Sequence, residues 1–403
     1  LDAVASEALS GTVFFEMGDQ IWGQDSTGGA LGADGRVVEL KRAYIDWMVP
    51  QTDLKVRMGI QGLALPSFTT NASQIFDDDV AAVSLNYQFN ENVGLTAFWA
   101  RPYNDNNGYK SSDTSKGQWT NYMDNMDMFA VLLPLTFDGV KVTPWVMYAA
   151  MGPGMFGDKS YGNAWDRATS GMISGAFGYD DVDTYGNAFW AGVTGEVTYW
   201  DPFRIAWDVN YGSASYEDEK MNREGWLASL LLEYKLDWGT PGLYGWYGSG
   251  DDSNPKNGSE RMPTVSGCGN FMSFMGDGNL AWGTGYNFYD NNLTYAGTWG
   301  VGLQIADVSF VEDLKHTFRV AYWGGTNSPS MVKYMGSGVA WNDTTATQDG
   351  PYLTTNDGLL EFNLVNSWQI YENLEANLEL GYIVNMMDKD TWDKSYILSL
   401  IHI

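Results

Sequence analysis

The chain has 403 residues, of which 50 are Asp or Glu and 22 are Lys or Arg, giving a formal net charge of −28. Nucleic-acid phosphates require clustered basic side chains, so this charge excludes a nucleic-acid partner. Aromatic residues make up 15% of the chain, with 18 Trp and 24 Tyr, but only 18% of the residues are charged. This composition is unusual for a water-soluble domain and typical of a membrane β-barrel, which needs aromatic girdles at two interfaces.

Alternation of apolar and polar residues with a period of two runs along the whole chain. In the clearest example, Leu54, Val56 and Met58 alternate with Lys55 and Arg57, as in a strand with one apolar face. About sixteen such segments occur, each roughly nine to fourteen residues long, which suits tilted strands that cross a bilayer. They are 12–23, 36–49, 52–64, 79–90, 92–101, 125–137, 139–150, 187–200, 202–213, 224–236, 238–249, 291–305, 313–324, 358–371, 373–386 and 395–403.

Short and long connections alternate strictly between these segments. The short ones contain turn-forming residues such as Pro50, Gly139 and Pro202, and a somewhat longer reversal is expected from Asp307 to Asp313. The long polar segments are 24–35, 65–78, 102–124, 151–186, 214–223, 250–290, 325–357 and 387–394. The pattern predicts one domain over 1–403, an all-β, antiparallel up-and-down transmembrane barrel with short periplasmic turns and long extracellular loops. Closure of the barrel satisfies the backbone groups that an open sheet edge would leave unpaired in hydrocarbon.

Two consecutive segments carry a family resemblance. The sequences KRAYIDW at 41–47 and LKVRMGIQ at 54–61 resemble the homotrimeric porins of Desulfovibrio-type bacteria. The loop pattern is similar to that of the trimeric general porins of Gram-negative bacteria over nearly the whole chain. Such porins usually end in an aromatic residue, whereas this chain ends in Ile403, so we expect its C-terminus to be incomplete or atypical.

The resemblance implies several properties. It implies a homotrimer in the outer membrane of a Gram-negative bacterium, in contact with lipid and lipopolysaccharide. It implies that the second long loop, 65–78, latches onto a neighbouring subunit. It also implies that the third long loop, 102–124, folds into the pore and sets its narrowest point.

If the apolar rows face lipid, strand parity assigns the opposite, polar rows to a water-filled lumen. The basic members are Arg42, Lys55, Arg57, Lys141, Arg204, Lys235, Lys315 and Arg319, and the acidic members are Glu16, Asp46, Glu196, Asp208, Glu233, Glu361, Glu375 and Glu379. The wall is therefore close to charge-balanced, and most of the net negative charge belongs to loops and turns.

A constriction is one interpretation of these charges. Arg42 and Arg57 are expected at similar heights on adjacent strands, where they would face Asp105, Asp113 and Asp124 of the third long loop. The alternative is that the arginines pair with Asp46 or with other wall carboxylates.

Two further groups of loop residues have open interpretations. The aromatic residues Tyr103, Tyr109, Trp119 and Tyr122 either form a sliding surface for sugars or pack the third loop against the wall. The carboxylates Asp180, Asp181 and Asp183 either hold a structural Ca²⁺ or are simply solvated. No other cofactor is expected.

The predicted function is a channel for passive diffusion of ions and small hydrophilic solutes, and not an enzyme. Only two histidines exist, His316 and His402, and no nucleophile, phosphate-binding or metalloprotease motif occurs. His316 shares the parity of an apolar row, away from any lumen serine. Two alternatives remain open: a channel specific for an anion, an organic acid or a sugar, and a structural or adhesive surface barrel with a plugged lumen.

Overall fold

A computed structural model describes the strands, the turns and parts of the long loops. The described residues are 1–16, 23, 30–31, 38–70, 72–104, 125–152, 171–174, 185–267, 269, 271–272, 294–334, 352–392 and 401–402. Within these ranges, no helix is both long and apolar enough to cross a membrane.

The strands form one antiparallel sheet in which successive strands pair in chain order. They are Asp2–Ser6 (β1), Leu9–Glu16 (β2), Glu39–Met48 (β3), Leu54–Ala64 (β4), Asp77–Gln88 (β5), Gly94–Asn104 (β6), Asn125–Leu132 (β7), Leu135–Phe137 (β8), Val140–Met151 (β9), Gly186–Val197 (β10), Phe203–Tyr216 (β11), Arg223–Tyr234 (β12), Thr240–Gly248 (β13), Thr298–Val311 (β14), Leu314–Gly325 (β15), Gly358–Tyr371 (β16), Leu374–Met386 (β17) and Ile401–His402 (β18). The sheet is an up-and-down β-barrel. Its curvature brings Ser67, just after β4, within 2.7 Å of Asp208 on β11, seven strands further along the chain.

The predicted fold class is confirmed, and each of the sixteen predicted segments overlaps an observed strand. Two differences concern strand number. The five-residue β1 is too short to show a clear alternation. The predicted strand 125–137 is interrupted at Leu133 and Pro134, because proline has no N–H for the ladder, so β7 and β8 both pair with β9.

The reversal predicted from Asp307 to Asp313 is wrong. β14 continues to Val311, and only Glu312 and Asp313 connect it to β15. Its ladder shifts register on both sides of Val308, and Asp307 has a φ of 57°. Such bulges disturb the alternation, and this stretch therefore looks like a loop in the sequence.

The outer face of the barrel carries an apolar belt with aromatic borders. On β11 and β12, one border pairs Phe203 with Tyr234 at a ring-centroid distance of 4.6 Å, and the other pairs Tyr211 with Trp226 at 4.8 Å. Beyond the second border the outer face becomes polar at Glu224, which accepts a hydrogen bond from the Tyr211 hydroxyl. The outer residues between the borders are Ile205, Trp207, Val209, Ala228, Leu230 and Leu232. Eight residues at about 3.3 Å each, on a strand tilted by about 40°, span roughly 20 Å, close to the belt height of membrane barrels.

The inner face has two different halves. The half towards the short turns carries charged and amide side chains, including Lys141, Glu196 and Arg204. The half towards the long loops is buried and mostly apolar, although Arg223 and Glu361 also lie on it, and its apolar side chains are at most 5% exposed. They include Met126, Met128, Met147, Trp190, Leu227, Tyr244, Trp246 and Trp323. The inner face therefore carries the expected charged side chains in the turn half, whereas most of its loop half is apolar.

Loop segments that fold inward cover this apolar wall. Residues 65–70 and 72–76, hereafter the inward segment, lie between β4 and β5. They pair with a second loop through the amide of Val265, which donates to the Ile75 carbonyl at 3.0 Å. The same loop, which joins β13 to β14, contacts them again where the Tyr295 amide donates to Gln74 Oε1 at 2.9 Å. Ile75, Val265 and Tyr295 are almost fully buried, so these loops form a hydrophobic core inside the barrel.

Gly59, on the inner face of β4, packs closely against the backbone of β3, so its substitution can test the pairing of these two strands. Gly59 has a φ of 130°, and a Cβ there would lie 2.2 Å from the Ala43 carbonyl oxygen and 2.7 Å from Tyr44 Cα. Because both contacts are backbone, we expect Gly59→Ala to lower the free energy of unfolding by about 2–4 kcal/mol. Urea unfolding in detergent micelles, followed by Trp fluorescence, measures this. The control is Gly11→Ala, whose Cβ would meet its nearest atoms at 3.7 and 3.8 Å, and equal effects of the two variants would contradict the assignment.

Candidate functional site in the lumen

The tip of the inward segment is fixed to the barrel wall by one buried carboxylate. Asp208 on β11 is 3% exposed. Its Oδ2 accepts hydrogen bonds from Ser67 Oγ at 2.7 Å and from the Thr69 amide at 3.2 Å, and its Oδ1 accepts from the Phe68 amide at 3.1 Å. The hydroxyls of Thr69 and Thr194 donate to the same carboxylate. A buried carboxylate needs several donors of this kind, so the contact is specific for this loop tip.

Strand register explains why the anchor forms at this place. Thr194 on β10 lies directly opposite Asp208, and Ser229 on β12 lies directly opposite Asp208 from the other side. The three side chains therefore form one hydrophilic row on the inner face. Thr69 Oγ1 lies 2.7 Å from Ser229 Oγ, so the loop tip contacts the whole row.

Towards the short turns, a charged row follows the inner wall across β9 to β15. It consists of Lys141, Glu196, Arg204, Glu233, Gln304 and Arg319. Arg204 is its centre: Nε binds Glu196 Oε2 at 2.8 Å and Nη1 binds Glu233 Oε2 at 2.7 Å. Its Nη2 donates to the Phe68 carbonyl at 2.7 Å, which links the charged row to the inward segment.

The row continues past β13 because that strand contributes a glycine. Gly242 lies directly between Glu233 and Gln304 in the ladder. The absent side chain leaves room for Gln304 Nε2 to reach Glu233 Oε1 at 2.9 Å. Arg319 Nε then donates to Gln304 Oε1 at 3.2 Å.

A second group of charges, the Asp46 cluster, lies on β3 and β4. Arg57 donates through Nε and Nη2 to the two oxygens of Asp46, at 2.7 and 2.9 Å. Lys55 Nζ lies 3.2 Å from the same carboxylate. The Arg57 guanidinium also stacks 3.9 Å from the centroid of the Tyr44 ring. This is the pairing that the sequence offered as the alternative to a constriction by free arginines.

The other predicted wall residues lie apart from these two groups. Arg42 forms an ion pair with Asp79, and Lys315 lies 3.4 Å from Asp307 near a turn. Ala43 lies opposite Ile60, so Arg42 is about four residues, or roughly 13 Å, from the level of Arg57. The expectation that the two arginines sit side by side is therefore wrong.

Most predicted loop sites lie outside the described residues. These are Asp105, Asp113, Asp124, Tyr109, Trp119, Tyr122, Asp180, Asp181 and Asp183. Tyr103 lies in β6 opposite Met126. The third-loop constriction, the sugar-sliding surface and the Ca²⁺ site therefore stay predictions. In the part of the chain that the structure describes, no group of three or more His, Cys, Asp or Glu residues is placed to hold a metal ion.

The sequence analysis missed the role of the inward segment. The resemblance implied that 65–78 latches onto a neighbouring subunit, and this is wrong, because the loop tip is bound inside its own barrel at Asp208. A signal was present in the loop: Leu65, Ile75 and Phe76 are apolar residues in a stretch expected to be solvated, and each is at most 2% exposed.

A cluster of loop residues lies at the barrel end opposite the short turns and consists of Asp251, Asp252, Glu260 and Tyr352. Two of its groups, Glu260 and Tyr352, have raised pKa values. Burial raises the pKa of Tyr352 far above the ordinary range, so its hydroxyl keeps the proton that it donates to Asp251 at 2.8 Å. Burial also raises the pKa of Glu260, and the charges of Asp252 and Asp251 add to this effect. A hydrogen bond from the Asp252 amide partly offsets the increase in the pKa.

Comparison with known proteins gives similarity of architecture alone. No protein-family model matches the chain, and no curated protein matches it. OccK11 (OpdR) of Pseudomonas aeruginosa is 11% identical over 87% of this chain and 77% of its own, with a TM-score of 0.46. OccAB3 of Acinetobacter baumannii is 10% identical over 95% of this chain and 82% of its own, with a TM-score of 0.48. OmpT of Vibrio cholerae, an outer membrane protein solved in a trimer form, is 12% identical over 95% of this chain and 88% of its own, with a TM-score of 0.43. Likenesses this distant carry no information on solute or assembly.

The anchor of the inward segment is tested by Asp208→Asn. An amide nitrogen in place of one carboxylate oxygen cannot accept from the loop, so we expect docking to weaken by about 2 kcal/mol and the Phe68 and Thr69 amides to exchange roughly thirtyfold faster. Hydrogen exchange measured by mass spectrometry in detergent reports this. Asp237→Asn, at an exposed turn, is the matched control. Unchanged exchange in Asp208→Asn would show that the carboxylate does not hold the loop.

The loop cluster should become more stable in mild acid. Because the folded-state pKa of Glu260 is raised, its stabilising contribution is present below the unfolded-state pKa and is lost as pH rises through the folded-state value. We expect the amides of Ser259 and Ser328, which donate to the Asn222 and Asp251 carbonyls, to exchange more slowly near pH 5 than near pH 8 after correction for intrinsic rates. Glu260→Gln should remove this difference, and a pH dependence that survives the substitution assigns it to another group.

Proposed function

We propose that this chain is a porin of a Gram-negative outer membrane, through which ions and small hydrophilic solutes diffuse passively. The observation that carries the proposal is the contrast between the two faces of the barrel in its turn half. The outer face is an apolar belt with aromatic borders, and the inner face carries the charged row and the Asp46 cluster. A polar interior inside an apolar exterior is the arrangement of membrane channels.

The inner charges are in contact with water. The Lys141 side chain is 53% exposed and that of Lys55 is 38% exposed, and both lie on the inner wall. Burying such ammonium groups in a dry interior would cost several kcal/mol each. Their exposure therefore supports a water-filled lumen in this half of the barrel.

The inward segment limits the width of this lumen. It crosses from the end of β4 to Asp208 and Arg204 on the far wall, so solutes pass beside it. We propose that the third long loop, 102–124, narrows the passage further. Its Asp105, Asp113 and Asp124 would then face the cations of the wall.

We propose a homotrimer on the basis of the resemblance to Desulfovibrio-type porins. In this arrangement, lipid and lipopolysaccharide contact the parts of the apolar belt that face away from the neighbouring subunits. Passive diffusion needs neither a cofactor nor a catalytic group. A structural Ca²⁺ at Asp180, Asp181 and Asp183 is a separate proposal, which equilibrium dialysis with radioactive calcium tests.

A second candidate function is a structural surface barrel with a closed lumen. The observation that favours it is the hydrophobic core in the loop half, where Trp190, Trp246 and Trp323 are at most 5% exposed. The two candidates differ in one measurable property, because only an open passage conducts ions.

Planar-bilayer recording tests the proposed channel. We expect the purified protein to give stepwise conductance increments, and we expect larger steps from Asp208→Asn, because the released loop widens the passage. Deletion of 105–124 should also enlarge the steps if the third loop constricts the pore. Asp237→Asn should match the unchanged protein. Folded protein without conductance steps would favour the closed barrel, and swelling of liposomes that saturates with one solute would indicate a solute-specific channel.

A further inference from the structure

We infer that the lumen prefers small anions to cations, although the chain carries a net charge of −28. The inference rests on the proposed function, since it concerns the ions that pass through the channel. It follows from how far the paired charges of the charged row and of the Asp46 cluster extend into water.

In the charged row, the cations extend further into the lumen than the carboxylates that bind them. The Lys141 side chain is 53% exposed and that of Arg204 is 28% exposed. The carboxylates of Glu196 and Glu233 are only 13% and 15% exposed. The long basic side chains run along the wall and end in water, whereas the shorter acidic ones stay against the backbone.

The Asp46 cluster repeats this arrangement on another part of the wall. Lys55 is 38% and Arg57 is 28% exposed, against 17% for the Asp46 side chain that both contact. Glu196 in the charged row and Asp46 in its cluster are each a recessed carboxylate that contacts two more exposed cations. The charge nearest to a passing ion is therefore positive.

The two cationic groups lie on separated arcs of the barrel. The Asp46 cluster is on β3 and β4, and Lys141 and Arg204 are on β9 and β11. The inward segment crosses the interior between these arcs, from the end of β4 to Asp208 on β11. An ion that passes beside this segment therefore has basic side chains on both sides, and rings of basic side chains favour anions.

The acidic residues of β16 and β17 favour cations and therefore oppose the anion preference. Glu361 is 1% exposed and is bound by Trp323 Nε1 and Asn363 Nδ2. Glu375 is exposed and accepts a hydrogen bond from Asn377, and the partly exposed Glu379 lies two positions beyond Asn377 on the same face. This strip lies on one side of the wall, so it weakens the preference without surrounding the path.

The test is the reversal potential of single channels in a tenfold KCl gradient. We expect chloride to be more permeant than potassium in the unchanged protein. Removing one unit charge about 8 Å from a permeating ion in water should change its occupancy about twofold. Loss of a positive charge lowers chloride occupancy and raises potassium occupancy by the same factor, so each substitution should lower the chloride-to-potassium permeability ratio about fourfold. The double variant Lys55→Gln/Lys141→Gln should therefore lower the ratio by about sixteenfold.

Both variant positions leave the wall intact, because Asp46 keeps Arg57 and Glu196 keeps Arg204. The control is Lys256→Gln, which makes the same charge change at an exposed loop position and should leave the ratio unchanged. A potassium preference in the unchanged protein, or a double variant with an unaltered ratio, overturns the anion inference while the channel stands. Absence of conductance in folded protein overturns the proposed function itself.

Discussion

Buried carboxylates hold the described loops in place, because each buried oxygen must accept hydrogen bonds. Asp208 binds the inward segment to the wall. Asp251 accepts from Tyr352 in a neighbouring loop, and Asp357 accepts from the indole of Trp392 in the last described loop. All three aspartates are less than 10% exposed. The positions of these loops thus follow from a few acidic side chains whose requirements only particular donors meet.

The inner wall has two halves that meet the needs of their side chains in different ways. In the loop half, the apolar inner wall buries its surface against loop residues, which is the ordinary driving force of a soluble core. In the turn half, charged side chains pair along the wall and remain hydrated, as Lys141 and Arg204 do. The Asp208 row lies at the boundary, where a loop tip meets both environments.

The barrel itself was predictable because period-2 alternation and alternating loop lengths are local signals. Residues such as Phe203, Trp207 and Tyr211 show the outward row directly in the sequence. Strand parity also assigned Asp46 and Arg57 to the same face, where the two side chains contact each other. The partners of these side chains were not predictable, because they depend on register between strands distant in sequence. Nothing local in residues 65–76 indicates that they bind β11.

The apolar inner wall also has a consequence for engineering this barrel as a nanopore. Trimming loops is a common way to widen a channel, but here it would expose a stripe of methionine and tryptophan to water. Met147 and Trp190 lie directly opposite each other on that stripe, and both are covered by loops. A wide, stable version would need new hydrophilic residues on the wall before the loops were shortened.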